Sequence, residues 1–381
     1  MEYKDFLGNK VSALGFGTMR FPMNDGQIDE EKTKEMIDYA FENGVNYFDT
    51  AWPYHDGKSE GVLAKCLEGR SRDSYFLADK FPGHQNIHPL DCDAIFKEQL
   101  RRCNTEYFDY YLLHNINDSN INVYTGKDPD IGAYLMEQKK AGYIKHLGLS
   151  AHATADVLEQ YLDYCDREGI EIEFCQIQLN YLDWSLQEGE RKLEILKKRN
   201  LPIIVMEPLR GGKLANVEGL ERSASYSFRW LMNIPEIKVI LSGMSAFDQV
   251  KDNINTFNEY KPLNEEENAM VLKLAEGMKK GVPCTGCRYC VDACPIGLDI
   301  PFLMKVYNDL SYDGKAFTPS MLLDSLDRDK TPDNCIGCGA CAALCPQHID
   351  IPATMAKTAE LKAQAPNWGK ICDERNKANK L

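Results

Sequence analysis

The 381-residue sequence has no apolar run near the ~18–20 residues that a membrane span needs. Its opening, Met1 to Phe6, carries no apolar secretion segment. Basic residues are in deficit: 44 Lys and Arg stand against 58 Asp and Glu, a net charge of −14. An acidic chain binds a phosphate backbone poorly, which argues against a nucleic-acid partner. The dinucleotide fingerprint G-x-G-x-x-G is also incomplete, because Gly15-Phe16-Gly17 continues Thr18-Met19-Arg20. The expectation is a cytoplasmic protein with neither a membrane nor a nucleic-acid partner. Hydrophobic residues make up 44% of the chain, enough for a sizeable core and too many for a disordered one. The length allows two or three domains, or one large barrel with an added module.

Cysteine is plentiful, at 14 residues. Without an export signal, such residues read as metal ligands or free thiols rather than disulfides. Eight fall in two runs: Cys284, Cys287, Cys290, Cys294 before Pro295, and Cys335, Cys338, Cys341, Cys345 before Pro346. Both read C-x2-C-x2-C-x3-C-P, which resembles the [4Fe–4S] spacing of bacterial ferredoxins. Zinc is the alternative, but its structural sites pair two C-x2-C hooks about 15–20 residues apart and leave a third close thiolate unused. In the ferredoxin pattern the fourth cysteine of each run serves the other cluster. The resemblance thus groups Cys284, Cys287 and Cys290 with Cys345, and Cys335, Cys338 and Cys341 with Cys294. Residues 295–334, longer than the equivalent stretch of a compact ferredoxin, read as an inserted helix, loop and helix over 301–326. Cys66, Cys92, Cys103, Cys165, Cys175 and Cys372 are scattered and read as ordinary thiols.

The first ~260 residues alternate short apolar runs with amphipathic ones, the pattern of a parallel sheet with covering helices. Candidate strands cover 13–18, 47–49, 75–80, 110–113, 144–150, 174–178, 202–206 and 239–242. Eight such units in about 250 residues imply a closed (β/α)8 barrel, with a doubly wound sheet as the runner-up. Residues 3–13 read as a hairpin capping the barrel bottom. The expected domains are a barrel at 1–262, a linker helix at 263–280 and a mainly α-helical ferredoxin-like iron–sulfur domain at 281–381.

Barrel chemistry sits where strands end. Here three successive strands end in Asp49, Lys80 and His114, and Tyr54 follows Asp49 by five residues. Each alone is ordinary: a cap, a solvated cation, a structural imidazole. Together, Asp49, Tyr54, Lys80 and His114 resemble the catalytic tetrad of the aldo-keto reductase family. Gly17, Thr18 and Met19 resemble that family's first cofactor-facing turn. Ser150 and Gln176 stand where the family holds the nicotinamide carboxamide, and Asn253 where it holds the adenine. The whole chain resembles the branch with a C-terminal ferredoxin-like domain.

The resemblance implies an NAD(P)H-dependent oxidoreductase that reduces a carbonyl or oxidises an alcohol, on a small-molecule substrate. Tyr54 would give the proton. Lys80 would favour the phenolate left behind, lowering the phenol pKa by an amount worth roughly 3–4 kcal/mol. Asp49 would pair Lys80, and His114 would orient the carbonyl oxygen. The loop from Glu207 to Lys213, with Pro208, Leu209 and Gly211, is the candidate phosphate cradle after the seventh strand. Where many relatives hold the 2′-phosphate of NADP with cations, this chain has Gly243 and Gln249. Met206 stands where many stack an aromatic ring. The choice of NADP or NAD therefore stays open. His55, His84 and His88 read as loop histidines at the mouth.

Hydride transfer moves two electrons and each [4Fe–4S] cluster one, and no barrel motif supplies a flavin to convert between them. Two clusters then serve electron transfer, docking of a redox protein partner, or folding of a small domain. The alternative to an enzyme is an electron-transfer or regulatory subunit whose barrel has little turnover of its own.

Overall fold

The computed structural model describes every residue except 86, 88, 219, 279–280, 285, 315 and 379–381, so His88 lies outside the described residues. Eight parallel strands close into a barrel. They are β1 (Leu14–Gly17), β2 (Tyr47–Asp49), β3 (Phe76–Phe81), β4 (Phe108–Ile116), β5 (Ile144–Ala151), β6 (Phe174–Gln178), β7 (Ile203–Met206) and β8 (Ile237–Gly243). Neighbours in sequence are neighbours in the sheet, and β8 closes on β1 through Gly243 beside Gly17. The expected barrel is the observed one. An open doubly wound sheet would have left two unpaired edges.

β4 is longer than its apolar core indicates and is buried along all nine residues. Its Asp109 looks like a strand-breaking charge. Arg72 meets it at 2.6 Å, and the Leu77 N–H donates to it at 2.8 Å, so the carboxylate stays within the sheet. The covering helices follow their apolar stripes. The helix Glu30–Glu42 starts at an Asp29 cap and buries Met36, Ile37 and Ala40.

The N-terminal strands Tyr3–Phe6 and Asn9–Ser12 pair antiparallel around Leu7 and Gly8, both at positive φ. Phe6 stacks on Tyr110 with ring centroids 4.7 Å apart. With Val11 it joins a buried layer of Tyr47, Leu112, Phe174 and Ile204. The hairpin thus fills the end of the barrel away from the strand C-termini, as expected.

The chain divides into two compact units. One holds residues 1–116, 121–271 and 373–381, the other 117–120 and 272–372. This differs from the expected 1–262, 263–280 and 281–381 in three respects, the first being that residues 117–120 group with the second unit. Residues 373–381 group with the barrel, and the helix Glu265–Met278 buries Val271 and Ala275 instead of standing as a polar linker.

The second unit is built on a repeat. Residues 284–301 and 335–352 both read C-x2-C-x2-C-x3-C-P-x3-D-I-P. Asp299 caps the helix Ile300–Tyr312 by accepting from Phe302 N, and Asp350 caps the helix Ile351–Gln364 by accepting from Ala353 N. Proline in the first turn suits both starts, since its missing N–H has no partner there. Gly286 and Gly337, matched in the repeat, both turn with φ near +68°. The inserted helices are present as Ile300–Tyr312 and Phe317–Asp324.

Candidate active site and cluster cavities

β2 ends at Asp49 and β3 carries Lys80 at its own C-terminal end, so sheet register brings both to the same rim. Lys80 has no exposure to water. Its Nζ donates to Asp49 Oδ1 at 2.6 Å and to the Thr50 carbonyl at 2.6 Å, and lies 3.4 Å from Tyr54 Oη. Tyr54 opens a short turn in which His55 and Asp56 both take positive φ. That kink swings the phenol back over Lys80, whose Nζ is 5.0 Å from the ring centroid. His114, near the end of β4, sets its ring edge-on to Tyr54 with centroids 5.9 Å apart. The structure therefore brings all four expected residues together.

The electrostatics depart from expectation at Tyr54. Burial raises its phenol pKa above the ordinary value, and Lys80 offsets only part of that rise. The expected net lowering does not occur, because a half-buried phenol loses more to desolvation than an ammonium already matched by Asp49 returns. Burial alone would push the Lys80 ammonium down, but Asp49 and Tyr54 outweigh it and hold the lysine charged. Burial, followed by the nearby His84 and Lys80, keeps His114 neutral far below the usual histidine range. Its Nδ1 has no hydrogen-bond partner.

Two further groups belong here that the sequence did not single out as site residues. His84, in the turn after β3, packs its ring against His114 with centroids 4.4 Å apart. Arg375, from the C-terminal helix, acts electrostatically on Tyr54, His84 and His114, and the neighbouring Asn376 donates to the Gln85 carbonyl. Nothing in the sequence around 375 marks it, since the contact joins opposite ends of the chain. His55 is not a solvated loop residue: its Nε2 accepts from Phe21 N at 3.1 Å.

The expected cofactor contacts fall into two groups. Ser150 and Gln176 are register partners on β5 and β6. Ser150 Oγ accepts from Asn115 N at 2.7 Å, and Gln176 Nε2 reaches Met206 Sδ at 3.5 Å. Gln176 Oε1 is buried with no hydrogen-bond partner, an acceptor that fits an incoming amide N–H. Gly17, Thr18 and Met19 lead from β1 into a 3₁₀ turn ending at Arg20. Pro208, Leu209 and Gly211 follow β7, and Gly211 and Gly212 take positive φ. Gly243 lies beside Gly17, where a Cβ would meet the Arg20 side chain at 3.2 Å. The other two point to protein partners. Asn253 Nδ2 donates to Ser242 Oγ at 3.0 Å, and Gln249 Oε1 accepts from Ser245 N at 2.8 Å.

In the second unit two small cavities are each walled by four cysteines and mostly apolar side chains, with Arg288 and Gln347 also lining the first. Cys284, Cys287, Cys290 and Cys345 line one, and Cys294, Cys335, Cys338 and Cys341 line the other. These are the two sets expected from the ferredoxin pattern. Four thiol donors in a mostly apolar shell suit an iron–sulfur cluster. Ile300 and Ile351 line both cavities, so the insertion has not driven them apart. The six remaining cysteines are all buried.

The aldo/keto reductase family profile matches residues 13–225, and a 4Fe-4S dicluster domain profile matches residues 283–349. The chain is similar to L-galactose dehydrogenase of Arabidopsis thaliana, at 25% identity over 69% of this chain and 91% of that protein. It is similar to NADH-specific methylglyoxal reductase of Escherichia coli, at 22% identity over 71% and 96%. Among solved structures, an aldo-keto reductase from Bacillus halodurans in its holo form matches with a TM-score of 0.57 at 26% identity, over 70% of this chain and 93% of that one.

The buried pair makes a stability prediction. Lys80→Met strands the Asp49 carboxylate in a dry site and should cost about 3–5 kcal/mol. Lys80→Met combined with Asp49→Leu should recover much of that loss. Urea denaturation followed by tyrosine and tryptophan fluorescence reads both. Equal destabilisation of the single and double variants would show that the charge pairing is not what matters.

Proposed function

Because the chain belongs to the aldo/keto reductase family and carries a C-terminal 4Fe-4S dicluster domain, we propose that it is a nicotinamide-dependent oxidoreductase reducing a small carbonyl compound, or oxidising the matching alcohol, with Tyr54 as the proton donor and acceptor. The observation that carries this reading is the Tyr54 phenol 3.4 Å from a fully buried, Asp49-paired ammonium. A bound reduced nicotinamide supplies the hydride. Ser150 and Gln176 would hold its carboxamide, and the loop of Pro208, Leu209 and Gly211 would hold its phosphates. Either dinucleotide fits the reading, since Gly243 and Gln249 offer no cation to a 2′-phosphate. The Escherichia coli relative is named as NADH-specific.

In the reduction, His114 donates from its protonated ring nitrogen to the carbonyl oxygen and aims it at Tyr54. Tyr54 gives its proton as charge develops on that oxygen. Lys80 stabilises the phenolate left behind, and Asp49 keeps Lys80 in place. Burial suits this direction: a phenol held above its ordinary pKa stays protonated at neutral pH.

Tyr54→Phe should leave dinucleotide binding, read by fluorescence titration, within about twofold of the parent. It should lower turnover on an aldehyde panel by about 10²–10⁴-fold. Turnover that survives the change removes Tyr54 from the role. The pH profile follows from the same groups. Tyr54 lies above its usual value and His114 well below its own. Carbonyl reduction should therefore stay flat from about pH 6 to pH 9, while alcohol oxidation, which needs the phenolate, climbs towards alkaline pH. A reduction rate falling through pH 7 would contradict this assignment.

For the second unit we infer two [4Fe–4S] clusters that exchange single electrons with a redox protein partner. The cavities sharing Ile300 and Ile351 support passage between the clusters. Tyr289, Ile336 and Leu344, 65%, 64% and 52% exposed, lie within the cysteine loops as apolar surface for a partner. Cys345→Ser should lower iron from about eight to about four per chain and leave one cluster signal in the dithionite-reduced spectrum. Loss of all iron, or none, would break the assignment of the four-cysteine sets.

A further inference from the structure

The loop after β7 offers an anion site that already holds an anion. Glu207 and Arg210 take positive φ, and so do Gly211 and Gly212. Within the turn Arg210 N and Gly212 N donate to the Glu207 and Leu209 carbonyls, which leaves the Gly211 N–H to take an anion. The Glu207 carboxylate folds back onto its own loop: Oε2 accepts from Gly211 N at 2.5 Å, and Oε1 lies 3.4 Å from Arg20 Nη2. Arg20 reaches this point by running through the space that a side chain at residue 243 would fill. The loop itself is fixed from beneath. Buried Arg210 pairs with Asp183, which also accepts from Gln178 and Asn180, and Asn180 Nδ2 donates to the Glu207 carbonyl at 3.0 Å. With the loop anchored, Glu207 is left to move by its side chain alone.

We propose that Glu207 is an internal stand-in for phosphate. Its carboxylate takes the Gly211 N–H and the Arg20 guanidinium that a dinucleotide phosphate would take, and it must swing out before that phosphate enters. This rests on the dinucleotide reading above. The competent form, with Glu207 displaced, is a fraction of the population, and the apparent affinity falls by that fraction. A carboxylate near the entering phosphate adds repulsion as well. Glu207 therefore sets how tightly the barrel holds any phosphate-bearing cofactor, without touching the reacting atoms. It also keeps Arg20 poised when the site is free.

The test uses the full chain with its clusters in place, and two probes. NADH and NADPH binding is read by fluorescence titration, and inorganic pyrophosphate binding by calorimetry, which does not involve the nicotinamide. Glu207→Gln and Glu207→Ala should each tighten pyrophosphate and dinucleotide by about tenfold. Arg20→Met should weaken both, and in that background Glu207→Gln should gain much less, because the two side chains share one interaction. If Glu207→Gln and Glu207→Ala bind pyrophosphate no more tightly than the parent, the stand-in is overturned, whatever the dinucleotide does. If pyrophosphate tightens while no variant binds either dinucleotide, the stand-in holds and the nicotinamide reading is the one that fails.

Discussion

A lysine ammonium out of reach of water persists only where its charge is matched on the spot, and at Lys80 that match fixes the geometry of the whole rim. Leaving water costs several kcal/mol per ion after relaxation. Asp49 and the Thr50 carbonyl, both at 2.6 Å, meet that cost from β2 and the residue after it. Lys80 is thereby locked against the neighbouring strand, with one direction left open towards Tyr54 Oη. The kinked turn through His55 and Asp56 delivers the phenol along that direction. A closed barrel is what makes this possible, because adjacent parallel strands bring their C-terminal ends to a single ring.

The same ring accounts for the contrast between its two polar aromatics. Tyr54 and His114 sit in one dry pocket, yet burial moves them in opposite senses, since the charged form is the deprotonated phenol but the protonated imidazole. Tyr54 keeps its proton, and His114 refuses a second one. The nearby His84, Lys80 and Arg375 add to that refusal. The rim thus presents a neutral imidazole beside a protonated phenol.

Much of this was legible in the sequence because it rests on short-range rules. Asp49, Lys80 and His114 sit at strand ends, and strand ends in a barrel converge. The cysteine runs carry their own spacing, and the cavities group the thiols as that spacing implies. What escaped was set by desolvation or by contacts distant in sequence. The pKa of Tyr54 turns on how far burial outweighs a neighbouring charge, which no spacing encodes. The turn of the Glu207 carboxylate back onto Gly211 N is a matter of side-chain direction, which no motif encodes. Arg375 meets the barrel from more than 250 residues away in the chain. The D-I-P extension of each cysteine run was readable, and it explains why both following helices start alike at Asp299 and Asp350.

The second unit applies a different solution to the same problem of polar groups in an apolar setting. Cys290 and Cys341 belong to its hydrophobic core, together with Ile300, Leu303, Ile351 and Met355. Thiols that double as core residues tie the fold of the unit to whatever they ligate, since metal affinity there is folding free energy. The helices Ile300–Tyr312 and Ile351–Gln364 each begin at an isoleucine that walls both cavities. Their Asp caps set where those helices begin, and the isoleucines form the partition between the cavities. The duplicated sequence thus builds two four-cysteine cavities that share a wall.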